Sequence, residues 1–181
     1  MKLKGHFLVA MPTLEDEVFG QSLIYMLEYD ENNALGVIVN KLTDVPLEEL
    51  FARFELPTIF TSQMVHFGGP VAPSQGIILH DTGKFGSTIQ VGKDMRYSFT
   101  LDVLQRIIEN RGPKNFLIGL GHVGWDGGQL MDEISHDNWL VAPFSKEILF
   151  DLPVEERYDA ALRSLGVNPA LFKSLNGVGN A

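Results

Sequence analysis

One glycine-rich stretch, which also carries the only two tryptophans, constrains this fold more than any other part of the chain. Between the apolar segments Phe116–Leu120 and Trp139–Ala142, glycine occupies positions 119, 121, 124, 127 and 128. Glycine loses more conformational freedom on folding than other residues, so its ordering needs compensation from packing. Trp125 and Trp139 can each bury about 150–250 Å² and supply it. The sequence therefore predicts a strand, a shaped glycine-rich loop, a short helix and a second strand.

Patterns elsewhere predict further strands and helices that alternate irregularly along the chain. Runs rich in β-branched and aromatic residues are typical of strands, and apolar residues spaced three and four apart are typical of a helix face. The predicted strands are His6–Ala10, Ser22–Tyr29, Leu35–Asn40, Met64–Phe67, Gly76–Asp81, Ser87–Val91 and Arg96–Phe99. The predicted helices are Leu47–Phe54, Leu101–Ile108, a short turn or helix at Ser145–Phe150, Val154–Leu165, and Asn168–Ser174 before a frayed, glycine-rich tail.

This irregular order predicts the α+β class. The expected architecture is a single compact domain over residues 1–181, with a mixed, largely antiparallel β-sheet and flanking helices. The second and third predicted strands are separated by a polar turn cluster, Asp30–Asn33, which indicates a β-hairpin.

The composition limits the classes of partner. The chain has 23 acidic residues against 14 lysines and arginines, a net charge of −9, and no run of three basic residues. Its electrostatic field therefore disfavours direct binding to nucleic acid. It contains no cysteine, which excludes disulfides and thiol chemistry. No window of about 18 apolar residues exists, so no membrane contact is expected, and the sequence predicts a soluble cytoplasmic protein.

The segment Gly119–Gly124 matches the dinucleotide-binding pattern G-x-G-x-x-G and follows a predicted strand. That function also requires a helix after the third glycine and a long βαβ unit. Here Trp125 follows instead, and only 57 residues remain after Gly124. The sequence therefore favours a structural glycine segment, and no cofactor is expected.

Two histidines, His80 and His122, lie at the ends of predicted strands and could move protons near neutral pH. Asp126, Asp132 and Glu133 follow His122 closely in sequence. The spacing matches no metal-binding motif, so no metal is expected, and no serine has the G-x-S-x-G setting of an acyl-transfer nucleophile. One alternative is a small hydrolase or transferase that uses His80 or His122 with a nearby carboxylate. The other, which the pattern favours, gives both histidines a structural role.

The Gly68-Gly69-Pro70 segment also has two interpretations. It can form a sharp turn that lets one strand leave the sheet, or it can present backbone N–H groups to an anion. The sharp turn is the simpler interpretation of two glycines followed by proline.

Six segments in one order carry a family resemblance over nearly the whole chain: Gly5–Pro12, Leu35–Lys41, Gly68–Val71, Gly76–His80, Gly121–Leu130 and Asn138–Leu140. In these segments the chain resembles the YqgE/AlgH family of bacterial proteins. The resemblance implies a compact, cytosolic α+β domain whose biochemical activity is largely unassigned, with no catalytic residue to carry over. One branch of the family is named for involvement in regulating alginate production.

The chain departs from the family pattern at His122 and Val123. The family usually has Leu-Gly-Tyr-Ala-Gly-Trp, and this chain has His122 where the tyrosine would stand. A site that used the tyrosine hydroxyl would therefore be altered here.

The leading hypothesis is a non-enzymatic regulatory or binding domain, whose partner is an unknown small molecule or a protein. Because of the negative charge, any effect on transcription would be indirect. Loops at strand ends often hold ligands, so we expect one surface cleft, lined by Gly68, Gly69, Pro70, His80, Gly121, His122, Gly124, Trp125 and Asp126. A structural interaction partner would instead present an exposed apolar patch.

Overall fold

A computed structural model of the protein describes residues 2–58, 61–81, 83 and 85–175. The predicted glycine-rich tail lies outside these residues from position 176 onward. The strands within them are β1 (Phe7–Ala10), β2 (Leu23–Tyr29), β3 (Asn33–Ile38), β4 (Leu42–Pro46), β5 (Met64–Phe67), β6 (Val71–Asp81), β7 (Ile89–Gln90), β8 (Met95–Ser98), β9 (Phe116–Asp126) and β10 (Trp139–Ala142). The helices are α1 (Leu47–Arg53), α2 (Asp102–Ile108), α3 (Gln129–Ser135), α4 (Lys146–Phe150), α5 (Val154–Ser164) and α6 (Pro169–Ser174). None of these described helices has the length and apolar character needed to cross a bilayer.

The strands form one sheet in which every pairing but one is antiparallel. The order across it is β10-β1-β2-β3-β9-β6-β8-β7, and β4 pairs with β5 beside this path. The exception is β5, which runs parallel to β9, with His66 opposite Gly119. The predicted α+β class with a mixed, largely antiparallel sheet is therefore confirmed. The β2–β3 hairpin is confirmed as well, and its turn is shaped by Asp30, whose carboxylate accepts hydrogen bonds from the N–H groups of Asn32 and Asn33.

Strand β9 is central because its side chains enter three separate hydrophobic cores. Successive residues of a strand point to opposite faces. Leu117 therefore packs with α4, α5 and α6, while Ile118 packs on the other face with α1 and α2. Further along the strand, Val123 and Trp125 pack with α3 and with Trp139. The helices thus cover both faces of the sheet.

The predicted glycine-rich loop is wrong, because β9 continues without a break from Phe116 to Asp126. Gly119, Gly121 and Gly124 lie inside this strand, and only the two glycines after it form the turn before α3. Gly121 is needed here because the backbone of Gly69 passes so close that a side chain would not fit. This glycine therefore provides space inside a strand and does not indicate a loop. The helix and strand predicted after the loop are confirmed as α3 and β10. Strand β4 has no counterpart among the predicted strands, because it is short and has no fully buried residue.

Candidate functional site

The structure brings Gly68 and Gly69 close to Gly121 and His122, where the segment after β5 crosses over β9. β5 pairs with one edge of β9 and β6 pairs with the other edge, so the Gly68-Gly69-Pro70 segment between them crosses over β9. A Cβ atom on Gly69 would clash with the His122 carbonyl, and one on Gly121 would clash with the Gly69 carbonyl. Only glycine permits this approach. The segment therefore does let one strand leave its edge of the sheet, as the sequence favoured.

The backbone groups of Gly68 are already used within the sheet. Its N–H donates to the Leu120 carbonyl oxygen at 2.8 Å, and its own carbonyl oxygen accepts from the Ile38 N–H at 2.8 Å. Pro70 is exposed and has no N–H. Neither residue therefore offers a backbone donor to an anion.

His80 is completely buried beside a carboxylate that other groups already hold. Its Nδ1 donates to the Asp81 carbonyl oxygen at 2.7 Å, and its Nε2 has no hydrogen-bond partner among the described residues. The Asp81 carboxylate accepts from the Asn115 side chain at 2.8 Å and pairs with Lys146 at 2.9 Å. Burial raises the pKa of Asp81, but Lys146 and Asn115 more than offset this effect, so the pKa lies below its usual range. Burial lowers the pKa of His80 and keeps its ring neutral.

His122 is half-buried and lies far from His80. In the β6–β9 register, His80 is opposite Phe116 and His122 is opposite Val71, a separation of six residues, or roughly 20 Å, along β9. The His122 ring packs edge-on against Phe99, with the centroids 6.2 Å apart, and burial lowers its pKa. The structure therefore does not bring the two histidines together.

Within the described ranges of the chain, no carboxylate lies within ion-pair distance of His80 or His122. Among the described residues, the only histidine within ion-pair distance of a carboxylate is His136, 3.5 Å from Asp132, and both side chains are exposed on α3. The described residues also contain no cluster of three His, Asp or Glu side chains that could hold a metal ion.

Trp125 belongs to a core and not to a cleft. It is 5% exposed, Trp139 is 4% exposed, and the two rings pack edge to face with centroids 6.2 Å apart. Both indole N–H groups donate to one oxygen of Glu133, at 2.9 and 2.8 Å. The predicted burial of both tryptophans is confirmed, whereas the neighbouring Gly124 and Asp126 are exposed. Trp125 therefore lies on the opposite side of the strand from Gly124 and Asp126, because alternate residues of a strand face opposite ways.

The structure contains a further site that none of the sequence motifs indicated, around the guanidinium of Arg157. This residue lies in α5 and is only 7% exposed. Its Nε donates to the Leu152 carbonyl oxygen at 3.1 Å. Its Nη1 donates to the Val39 carbonyl oxygen at 2.7 Å and to Nε2 of His66 at 3.0 Å. These contacts tie the first turns of α5 to β5 and to the residue after β3.

The contact with Arg157 fixes the protonation state of His66. A guanidinium has only N–H donors, so Nε2 of His66 is the acceptor and the ring proton lies on Nδ1. Burial and the adjacent Arg157 charge lower the pKa of His66 to about 3, which keeps the ring neutral at physiological pH. Its Nδ1 lies near the Ile118 backbone but has no hydrogen bond of good geometry within the described residues. Burial lowers the pKa of Arg157 as well, and the exposed carboxylate of Glu155 opposes this effect only in part. A guanidinium in a protein remains charged.

Arg157 and His66 line a cavity of about 260 Å³. The other lining residues are mostly apolar: Leu42, Leu47, Ser62, Gln63, Met64, Phe116, Leu117, Ile118, Leu149, Phe150 and Val154. None of them is acidic, and none of the ion pairs among the described residues involves Arg157. The cavity therefore contains a positive charge that these residues do not neutralise. By contrast, a larger hollow of about 750 Å³ has its acidic residue, Asp159, paired with Lys173 at 2.7 Å.

A signal for this site is present in the sequence. The apolar stripe of α5 passes through Val154, Tyr158 and Ala161, and Arg157 lies three residues after Val154 on the same face. A basic residue inside an apolar stripe indicates a charge that folding will bury. His66 gives no comparable signal, because its partners come from distant parts of the chain.

Comparison with known proteins gives the family. The AlgH-like family matches residues 7–170. A UPF0301 protein of Chromobacterium violaceum is 41% identical over 178 residues, covering 96% of each chain, and one of Azoarcus sp. is 42% identical over 179 residues, covering 97% of this chain and 95% of that protein. The solution structure of the AlgH protein from Pseudomonas aeruginosa matches with a TM-score of 0.81 at 39% identity, covering 95% of this chain and 93% of that one. A protein from Corynebacterium diphtheriae shares the fold, with a TM-score of 0.76 at 22% identity over 96% of this chain and 91% of that one. The chain therefore belongs to the YqgE/AlgH family.

Proposed function

We propose that this protein is a non-enzymatic regulatory domain that binds a small anion in the Arg157 cavity. One observation carries the proposal: the guanidinium is 7% exposed, lines a cavity, and has no carboxylate within ion-pair distance among the described residues. Removing a charge from water costs several kcal/mol unless a partner compensates for it. Within the described residues, Arg157 contacts only neutral acceptors, on Val39, Leu152 and His66. An anion in the cavity would supply the missing charge.

The negative charge of the chain strengthens the argument from the unpaired position of Arg157. The sequence contains 23 acidic residues and has a net charge of −9. Carboxylates are therefore abundant, yet in the described part of the chain none lies within ion-pair distance of Arg157. A positive charge in a cavity with low-dielectric walls concentrates anions there. The absence of the protein's own carboxylates from the described lining of the cavity supports the binding of an anionic ligand there.

The arrangement of the histidines supports binding over chemistry. A small hydrolase or transferase would need His80 or His122 beside a carboxylate and open to substrate. His80 is fully buried, and the adjacent Asp81 is held by other groups. A general base works best when its pKa is close to the operating pH. His66, which lines the cavity, has a pKa of about 3 and does not meet this condition at neutral pH.

A regulatory role is proposed through the family. One solved relative carries the name AlgH, and the family resemblance implies involvement in regulation. The net charge of −9 disfavours contact with DNA, so we propose that any effect on transcription is indirect and passes through the bound small molecule or a protein partner. A cytoplasmic location is part of the proposal, and the cysteine-free composition supports it.

Thermal unfolding of the full chain, with and without sodium salts of small monoanions and dianions, tests the proposal. A ligand that binds only the folded state adds about 2.7 kcal/mol of stability at one hundred times its Kd. We expect at least one anion to raise the Tm of the wild type and to leave the Tm of Arg157→Met unchanged. Arg163→Met removes an exposed charge from the same helix and should respond like the wild type. Equal responses in all three proteins, or no response in any, would reject the proposal.

A further inference from the structure

The charge balance of the cavity selects the charge of its ligand. Among the described residues that line the cavity, Arg157 is the only cation, and none is acidic. His66 is neutral, because burial and the Arg157 charge lower its pKa to about 3. One buried positive charge is balanced by one negative charge. A dianion would leave a charge buried without compensation, so the site favours a monoanion.

The remaining hydrogen-bond donors of Arg157 fit a carboxylate. A guanidinium has five N–H donors. The contacts to Leu152, Val39 and His66 use the single Nε donor and both Nη1 donors, so the two remaining donors are on Nη2. An Nη2 N–H group can donate a charge-assisted hydrogen bond to a carboxylate oxygen, whereas a phosphate group has three strong acceptor oxygens and needs further donors.

The rest of the cavity is apolar and small. Nine of its thirteen lining residues are apolar, including Leu47, Phe116 and Ile118. Its volume of about 260 Å³ is that of roughly nine water molecules in the liquid. This space accommodates a carboxylate with a short hydrocarbon body and excludes a nucleotide or a long lipid chain.

We infer, on the basis of the proposed function, that the anion bound here is a short-chain monocarboxylate. Its carboxylate accepts hydrogen bonds from Nη2 of Arg157, and its hydrocarbon body packs against Phe116 and Ile118. The carboxylate neutralises the buried guanidinium, while each methylene that leaves water strengthens binding.

Isothermal titration calorimetry of the full chain with sodium acetate, butyrate, hexanoate, decanoate and inorganic phosphate tests this inference. Burial of one methylene is expected to tighten binding about fourfold. The affinity should therefore rise from acetate to hexanoate and fall at decanoate, whose chain exceeds the cavity. Inorganic phosphate should bind more weakly than hexanoate.

Two pairs of variants locate the site. Arg157→Met should abolish hexanoate binding, and Arg163→Met should preserve it. Because Arg157 also holds α5 in place, a second pair leaves that residue intact. Leu42 lines the cavity but is 45% exposed, so both Leu42→Glu and Leu42→Gln should fold. Repulsion by the added carboxylate should weaken hexanoate binding about fivefold or more in L42E relative to L42Q.

The possible results separate this inference from the proposed function. Chain-length dependence, together with weaker binding in R157M and L42E, supports the inference. Arg157-dependent binding of phosphate, with no binding of any carboxylate, overturns it and leaves an anion site standing. Carboxylate binding that neither variant weakens lies elsewhere and also overturns it. A folded protein that binds none of these anions overturns both the inference and the proposed function.

Discussion

At the scale of single residues, Glu133 and Arg157 show two different ways of placing a charge inside this protein. The Glu133 carboxylate accepts hydrogen bonds from both indoles and, at 3.0 Å, from the Gln129 side chain. Neutral donors therefore satisfy both of its oxygens. The Arg157 guanidinium instead donates to neutral acceptors through Nε and Nη1. Its Nη2 has no hydrogen-bond partner among the described residues. The first arrangement stabilises a core, and the second leaves capacity for a ligand.

Truncation of either tryptophan should destabilise the fold. Trp125→Ala and Trp139→Ala each remove a buried ring and break the edge-to-face pair, so we expect the free energy of unfolding to fall by about 3–5 kcal/mol. Urea denaturation measures this change. Leu171→Ala truncates a side chain that is 69% exposed and should change the free energy by less than about 0.5 kcal/mol. Unchanged midpoints in the tryptophan variants would show that these rings anchor nothing.

The stability of the protein should depend on pH through His66. Its folded pKa of about 3 lies below the ordinary value of about 6.5, so the unfolded chain binds the extra proton between these two pH values. The stabilising contribution of neutral His66 is therefore complete above about pH 6.5 and is lost as the pH falls toward about 3. His80 and His122, whose pKa values are also lowered by burial, act in the same direction.

The variant His66→Gln isolates this effect, because the glutamine oxygen can still accept from Arg157 but does not titrate. Urea denaturation at about pH 4.5 and about pH 7.5 should show a smaller loss of stability on acidification in this variant than in the wild type. His136→Gln, at a side chain that is 70% exposed, is the matched control for replacing a histidine with glutamine. An equal loss of stability in H66Q and the wild type would show that His66 is not the titrating group.

At the scale of elements, β9 shows that glycine has two opposite meanings in a sequence. A count of glycines predicts a loop, because glycine is the most flexible residue. In the structure, Gly121 lies in a strand with φ of +75°, and its missing side chain leaves room for the Gly69 carbonyl. Gly124, three residues further on, has no atom within 4 Å of the position where a Cβ would be. The two glycines look alike in sequence but have different physical roles.

This difference gives a matched pair of variants. Gly121→Ala combines a positive φ with a clash against the Gly69 carbonyl, so we expect it to lower the free energy of unfolding by about 3 kcal/mol or more. Gly124→Ala adds a side chain to a strand position with open space, so it should be neutral or stabilise by up to about 1 kcal/mol. Thermal unfolding compares the two. Similar effects of both substitutions would show that the crossing is not tight.

Local patterns predicted most elements because their causes are local. α1 begins directly after Pro46, and α6 begins after Asn168, whose side chain accepts hydrogen bonds from the first turn of the helix. The candidate site has no such local cause. Arg157, His66 and Val39 belong to separate parts of the chain, and only the folded sheet brings them together. Sequence proximity also does not determine which face of a strand a residue occupies, so Trp125 is buried while its neighbours Gly124 and Asp126 are exposed.

At the scale of the whole molecule, an acidic chain holds the positive charge of Arg157 in its described interior. The net charge of −9 repels nucleic acids and anionic surfaces that come close to the protein. The cavity at Arg157 acts only at short range, because mobile ions screen charges beyond about 10 Å. A small anion that reaches the cavity is therefore attracted there, which agrees with the proposed small-molecule ligand.

Native mass spectrometry of the wild type purified from its own host, beside Arg157→Met purified in the same way, tests most directly whether the cavity holds a small anion. We predict a small adduct on the wild type that is released as an anion on denaturation, and no adduct on Arg157→Met. Wild-type protein at its bare mass, or the same adduct on both proteins, would contradict the assignment of this cavity as the binding site.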